Sequence, residues 1–337
     1  MKSEFDFISN LRRENAVKNL QFSGVKVGIG DDCAVVKHNS KTDLVITTDL
    51  LIEEIDFRLE WTKPEFAGHK ALAVSLSDVA AMGAKPIWAL VSIGIPEKIW
   101  KTDFVEKFYA GWFRLAKKFN VELIGGDVSR TPDKIVIDSI VAGEVKKNRS
   151  VLRSGACAGD LIFVTGELGG AAAGLELLRN DLRYDEANSF SLNKLLLRQL
   201  QPFPRCEIGE KIGEKKLATA MIDLSDGLSS DLAHLCAESR VGAKIELDKI
   251  PNNRRLKNYR KHLESKEFDL DVLSLALNGG EDFELLFTAR PKNKNKLKEL
   301  FGKNVTCIGR TTSDAGKIEL VGESKTTQLE AKGFRHF

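Results

Sequence analysis

Ala218-Thr-Ala-Met-Ile-Asp-Leu-Ser-Asp-Gly-Leu-Ser-Ser-Asp-Leu-Ala-His-Leu235 passes from an apolar run through an acidic turn into a periodic segment. Ala218 to Ile222 has the length and apolar content of a buried strand, and Asp223 closes it. From Gly227 onward Leu228, Leu232 and Leu235 recur at helical spacing. The turn Asp223-Leu-Ser-Asp-Gly227 therefore stands at a helix N-terminus, the end that favours anions. A strand feeding a helix through a short turn is a building unit of α/β folds. The two aspartates in this turn make it a candidate for metal and phosphate.

Five further motifs place a carboxylate beside Gly, Ser or Thr: Gly28-Ile-Gly-Asp-Asp32, Thr47-Thr48-Asp49, Leu76-Ser77-Asp78, Gly125-Gly126-Asp127 and Gly279-Gly280-Glu281-Asp282. Small neighbours let backbone and cations approach closely. Around them the spacing predicts an N-terminal helix capped by Ser3, with Phe5, Ile8 and Leu11 on one face. Short strands follow at Ala34–Val36, Leu44–Thr47 and Ile87–Ile95, bracketing a helix from Pro64 to just before Gly83 that carries Asp78. A helix over about Asp103–Phe119 leads into a strand, Val121–Ile124, that ends in a tight turn at Gly125-Gly126-Asp127, followed by a strand at Ile135–Val145. The polar break Lys146-Lys-Asn-Arg-Ser150 sets a domain boundary, giving residues 1–148 and 149–337. Beyond it a turn and strand over Gly155–Val164 precede helices at Gly170–Leu178 and Leu192–Leu200. The Gly-rich loop Gly166–Gly174 could cradle phosphate, but many strand-to-helix turns look alike. The basic run Lys292–Lys298 reads as a solvated helix face.

At 337 residues the length fits roughly two domains. Apolar content of 42% and charged content of 29% are those of a soluble globular chain. The net charge of +3 comes from 51 basic and 48 acidic residues spread along the sequence, which points away from nucleic acid. Five dispersed cysteines with no Cys-x-x-Cys pair fit neither a disulfide framework nor a zinc knuckle and suggest a reducing cytoplasm. The N-terminal residues Met1–Phe7 lead into no apolar core of a signal peptide, and the apolar stretch around Ile87–Ile95 is too short to span a membrane.

Several common mechanisms lack their motifs: there is no Gly-x-x-x-x-Gly-Lys-Ser/Thr loop, no Gly-x-Ser-x-Gly elbow and no His-Glu-x-x-His. The histidines His38, His69, His234, His262 and His336 have no ligand spacing. What remains is oxygen chemistry, which favours Mg²⁺ or Mn²⁺ over zinc and suits a nucleotide polyphosphate. Any one acidic motif alone reads as a cap or an Asp-Gly turn. Six together would repel: at an effective dielectric of ~20, two like charges ~4 Å apart cost about 4 kcal/mol. Such a cluster needs cations.

These motifs, with Lys70-Ala-Leu-Ala-Val-Ser-Leu-Ser-Asp-Val-Ala-Ala-Met-Gly-Ala84, Leu123-Ile-Gly-Gly-Asp127, Arg153-Ser-Gly155, Asn278-Gly-Gly-Glu-Asp-Phe-Glu284 and the tail Lys332-Gly-Phe-Arg-His-Phe337, run nearly end to end. In this combination the chain resembles the thiamine-monophosphate kinase family. Single motifs are shared with a wider superfamily of ATP-using enzymes that includes aminoimidazole ribonucleotide synthetase, selenophosphate synthetase and a hydrogenase maturation factor. The resemblance implies an α/β (α+β) fold of two domains, an N-terminal mixed sheet with helices that pairs in a homodimer and a C-terminal α/β sandwich. It also implies ATP-dependent phosphorylation of thiamine monophosphate to thiamine diphosphate, with ATP and several Mg²⁺ ions near the dimer and domain junction.

Carried over by motif, Asp32, Thr47, Thr48, Asp49, Asp78, Asp127, Asp223 and Asp226 hold Mg²⁺. Tyr109, Gly126, Asp127, Arg153 and Ser225 contact ATP, with Asp78, Asp127 and Arg153 closest to the chemistry. Asp56, Glu281 and Ala331 fall at the acceptor positions, and Ala331 departs from the aromatic residue that some members carry there. The competing readings are another ATP-dependent synthetase of the superfamily and a non-catalytic nucleotide or metal sensor. A selenide-handling enzyme would show a reactive Cys in an N-terminal Gly-rich loop, and the hydrogenase factor a C-terminal Cys. Here Cys33 has apolar neighbours that suit a buried thiol, and the chain ends His336-Phe337.

Overall fold

The structure, a computed structural model, describes residues 4–17, 24–252 and 271–334. The Ser3 cap, His262, His336 and the end of the tail lie outside the described residues, as does the side chain of Phe5. The first half comprises α1 (Glu4–Val17), β1 (Val25–Val27), β2 (Ala34–Lys37), β3 (Thr42–Ile52), α2 (Pro64–Ala81), β4 (Lys85–Pro96), α3 (Glu97–Trp100), α4 (Phe104–Phe119), β5 (Glu122–Thr131) and β6 (Val136–Lys146). The second half comprises β7 (Leu161–Thr165), α5 (Gly170–Arg179), α6 (Phe190–Leu200), α7 (Cys206–Lys215), β8 (Ala220–Asp223), α8 (Leu228–Ser239), β9 (Gly242–Glu246), α9 (Val272–Asn278), β10 (Leu285–Ala289), α10 (Lys294–Phe301), β11 (Val305–Thr312), β12 (Ile318–Val321) and β13 (Thr326–Gln328).

The strands form two mixed sheets. The first has the order β1-β2-β3-β6-β4-β5, with only β4 and β5 parallel; the second runs β13-β12-β9-β11-β7-β10-β8, with only β12 and β9 parallel. Alternation along β3, β4 and β6 buries one face of the first sheet: Val45, Leu51, Ala89, Val91, Ile93, Ile137 and Val141 pack under α2 and α4. The other face carries Leu50, Asp138, Ile140, Leu90 and Ser92 and has no helix on it among the described residues.

Helix α2 is buried on nearly every side because it is central. It touches β3, β4, β6, α4 and α7, and it also reaches β8 of the second sheet. One hydrophobic core therefore runs from Val35 and Ile137 through α2 to Met221 and Phe287, while a second lies under α8 and α9. Helix α2 meets α4 backbone to backbone: a Cβ on Gly68 would lie 1.9 Å from the Phe108 carbonyl oxygen, and one on Gly111 would lie 1.9 Å from that of Glu65.

One expectation is corrected by the register. Gly125-Gly126-Asp127 is no turn; it lies inside β5, with Gly126 opposite Val91 and Asp127 opposite Ser92 on parallel β4. The glycines serve close approach, since a Cβ on Gly126 would lie 1.9 Å from the Val91 carbonyl oxygen. The Gly-Gly signal for a turn is the same signal as for a strand pressed against its neighbour.

Candidate active site

Asp32 stands in the loop between β1 and β2, Asp78 near the C-terminal end of α2, and Asp223 at the end of β8. These residues, distant in sequence, each offer a carboxylate oxygen, and the three oxygens lie within 4.8 Å of one another. The second sheet carries Asp223 to the cluster because β8 packs against α2, where Ser77 donates to Asp223 Oδ2 at 2.6 Å. Thr47 donates to Asp78 Oδ2 at 2.5 Å. Arg153 grips Asp32 Oδ1 through Nε at 3.1 Å and Nη2 at 2.5 Å, while its backbone N–H donates to Asp31 Oδ2 at 3.2 Å. Asp49, half-buried on β3, faces the same side as Thr47.

Bare, these carboxylates resist ionisation. Burial, then the charges of Asp49, Asp223 and Asp32, pushes Asp78 well up. Burial and Asp32 raise Asp223 to about 8, and burial, opposed by a Ser75 hydrogen bond, raises Asp49 to about 6. Asp31 goes to about 7 through burial and the adjacent Asp32. At a separation near 4.8 Å each like-charged pair costs roughly 3 to 4 kcal/mol at an effective dielectric of ~20. Asp32 Oδ2 and Asp49 Oδ2 are buried with no hydrogen-bond partner among the described residues. An all-oxygen donor set with unpaired buried acceptors and mutual repulsion fits a hard divalent cation such as Mg²⁺.

A cavity of about 660 Å³ adjoins the cluster. Asp31, Asp49, Arg153, Ser225 and Asp226 line it with polar atoms; Leu51, Phe57, Trp61, Val74, Leu200 and Phe283 make it apolar elsewhere. Asp56 and Glu281, the acceptor candidates, both line it, as does Phe334, which is 50% exposed. Ala331 is exposed on the tail and is not among the lining residues.

Other expected residues are not brought to the cluster. Thr48 lies on the opposite face of β3 from Thr47 and Asp49, and donates to Asp138 Oδ1 at 2.6 Å. Asp127 shares that open face, in a row with Ser92, Asp138 and Leu50. Tyr109 belongs to α4, edge-on to Phe108 with centroids 5.2 Å apart, and does not line the cavity.

The Gly166–Gly174 loop is occupied by the chain itself: Asp282 accepts from the N–H groups of Gly169 at 2.6 Å and Ala171 at 3.1 Å. Cys33 is buried, and burial with the surrounding aspartates pushes its thiol well up, so it is no nucleophile. Residues that the motifs contained but spacing did not single out include Asp31, Ser77, Asp231 and Lys70. Asp231 Oδ2 accepts from the N–H groups of Asp226 and Gly227 and shapes the turn. Its signal was an acid one helical turn past the acidic turn.

The chain matches the AIR synthase related protein models, the N-terminal domain over residues 30–145 and the C-terminal domain over 158–321. It is 41% identical to the thiamine-monophosphate kinase of Buchnera aphidicola from Acyrthosiphon pisum, with 99% of each chain covered. It is 36% identical to that of Bacillus subtilis, again over 99% of each. Among solved structures, AaThiL complexed with AMPPCP and TMP superposes with a TM-score of 0.83 at 36% identity, covering 99% of this chain and 97% of that one. Hydrogenase maturation protein HypE, at 18% identity and a TM-score of 0.66 over 86% of this chain and 88% of its own, shares the fold.

Proposed function

The chain belongs to the thiamine-monophosphate kinase family and is an ATP-dependent kinase, and from that premise we propose how its acidic cavity moves the γ-phosphoryl group of ATP onto thiamine monophosphate, giving thiamine diphosphate and ADP. The observation that carries the reading is the trio Asp32, Asp78 and Asp223, packed within 4.8 Å beside a cavity that also holds Arg153.

The acceptor is a phosphate monoester whose second pKa is about 6, so its attacking oxygen is already anionic at neutral pH. The reaction needs no general base, which suits a site lined by Asp and Arg. It needs two polyanions held together in line while the β–γ bridging oxygen leaves with ADP. In our assignment Asp32, Asp78, Asp223 and Asp49, with Thr47 and Asp226 beside them, hold Mg²⁺. Bound there, Mg²⁺ would neutralise phosphate charge and polarise the transferring group. Arg153, locked by its two bonds to Asp32, presents a pre-oriented guanidinium to phosphate oxygens without further ordering. Ser225 offers its hydroxyl from the turn before α8. Asp56 and Glu281 face the cationic thiazolium end of the acceptor, and the apolar wall excludes water from its rings.

The same reading makes the protein a cytoplasmic homodimer. The open face of the first sheet exposes Leu50 (56%), and β5, the last strand of that sheet, exposes Ile124 (52%) and Val128 (50%) and has no strand on its outer edge among the described residues. Monomers seldom leave such an edge unprotected. Thr48, Gly126 and Asp127 lie on this face or edge, so they join the nucleotide site at the junction between copies. The boundary between domains belongs at 148/149, in the stretch between β6 and β7 that has no helix or strand.

The test is ADP release with Mg-ATP and thiamine monophosphate, thiamine or no acceptor, with the product identified by mass spectrometry. Thiamine diphosphate formed from the monophosphate alone is the expected result. ATP binding with no acceptor-dependent ADP would overturn the reading.

A further inference from the structure

Glu281 lines the cavity from the loop between α9 and β10 with a φ of 63°, a left-handed backbone that a glutamate adopts only when its surroundings hold it. Those surroundings are specific. Its N–H donates to the Ser225 carbonyl at 2.7 Å, and its Oε1 receives Lys70 Nζ at 2.5 Å. Its Oε2 accepts from Gln199 Nε2. Lys70 is 2% exposed, and the same ammonium donates to the Asp56 carbonyl oxygen at 2.9 Å. One buried cation on α2 thus ties together the two segments that supply the acidic residues at the acceptor end.

The orientation of Gln199 follows from chemistry. A carboxylate only accepts, so the amide must turn its NH₂ to Glu281. Its Oε1 is left buried without a hydrogen-bond partner among the described residues. A polar group kept in that state is costly unless its position serves another group. The Glu281 carboxylate is clamped at both oxygens by residues from α2 and α6, and its side chain is still 30% exposed. Two of its four lone-pair sites are engaged, and no further hydrogen bond reaches the carboxylate among the described residues.

We propose that Lys70 and Gln199 are positioning residues for the acceptor: they fix both oxygens of Glu281 so that its open lone pairs meet the cationic ring of thiamine monophosphate, and Lys70 sets Asp56 in register with it. This rests on the acceptor assigned under the proposed function. Neither residue touches the phosphoryl group that is transferred, so their loss acts on acceptor recognition rather than on ATP.

The test compares the full-length protein with Lys70→Met, Gln199→Leu, Glu281→Gln and the double variants Lys70→Met/Glu281→Gln and Gln199→Leu/Glu281→Gln, with thermal midpoints measured alongside. Lys70→Met is expected to raise KM for thiamine monophosphate about tenfold or more and Gln199→Leu about three- to tenfold, with KM for ATP unchanged within about twofold. In the Glu281→Gln background Gln199→Leu should not raise the acceptor KM further, because it acts through that carboxylate, and Lys70→Met should raise it by less than in the wild type, keeping only the part that runs through Asp56. If Lys70→Met does not fold, the Gln199 cycle carries the same test. An acceptor KM that stays within about twofold, or additive losses in the double variants, overturns the clamp. A wild-type protein without acceptor-dependent ADP release overturns the functional reading beneath it, so the two failures are told apart.

Discussion

Thr47, Thr48 and Asp49 are neighbours in sequence and end on opposite faces of one sheet. Strand alternation turns Thr47 to Asp78 and Thr48 to Asp138, so adjacent residues of the same type have different roles. Within the cluster, Asp78 is the most crowded carboxylate, pressed by Asp49, Asp223 and Asp32. Asp78→Asn is therefore expected to raise the Mg²⁺ concentration for half-maximal rate and to cut turnover at limiting Mg²⁺ by about 10- to 100-fold, read from Mg²⁺ titrations of ADP release. Unchanged titration curves would remove Asp78 from the site.

Glu284, from the last acidic motif, is structural. It is fully buried and receives Arg205 Nε at 2.6 Å and Nη2 at 2.5 Å, Arg198 Nη1 at 3.2 Å and Thr165 Oγ1 at 2.6 Å. Burial raises its pKa, but the two guanidinium charges and these hydrogen bonds outweigh burial and leave it below the ordinary 4.5. A folded-state value below the unfolded one means that the stabilisation is complete above about 4.5 and is lost as pH falls through the lower folded value. Glu284→Gln should cost about 3 to 5 kcal/mol at pH 7, where it strands buried cations, and should flatten the loss of stability below pH 4.5. Urea melts between pH 7 and pH 3 read both effects; parallel curves for the two proteins would contradict the assignment.

At the scale of elements, α2 decides how much of the molecule holds together. Its small residues let α4 approach on one side and α7 on another, where a Cβ on Gly209 would lie 2.2 Å from the Ala80 carbonyl oxygen. Carbonyl groups inside helices cannot yield as the end of a flexible side chain can. Gly111→Ala should therefore force α4 away from Glu65 and cost about 3 kcal/mol, seen as a lower thermal midpoint. Because α2 also carries Lys70, Ser77 and Asp78, a shift of this helix should weaken Mg²⁺-dependent turnover as well as stability. A variant as stable as the wild type would show that the crossing can relax. The helices and strands themselves were legible where periodicity was strong. The α2 segment is predicted from Pro64 to before Gly83 and found at Pro64–Ala81, and the helix predicted over Asp103–Phe119 is found at Phe104–Phe119. Strands β1 and β9 to β13 and helices α3, α7 and α9 have no counterpart in the sequence-based expectations, because short segments between polar loops carry too little pattern.

At the scale of the whole molecule, the open face of the first sheet predicts a dimer whose loss disables the nucleotide site. Ile124→Lys together with Val128→Lys, both exposed on β5 and neither lining the cavity, should give a folded monomer by light scattering, with circular dichroism unchanged and turnover lost, since Asp127 then has no second copy to meet. A monomeric wild type would refute the dimer, and a fully active monomeric variant would detach Asp127 from catalysis. By itself the sequence determined the oxygen chemistry, the family and the α/β alternation, because ligand type is a property of the residue and helical or strand spacing is local. It also marked Asp32, Asp78 and Asp223 by their small neighbours. Only the tertiary structure decided that these three meet, that Glu284 and Asp282 serve the scaffold and that Thr48 and Asp127 face away. Those outcomes depend on strand register and on how the second sheet docks against α2, contacts between residues far apart in the chain that no local spacing encodes.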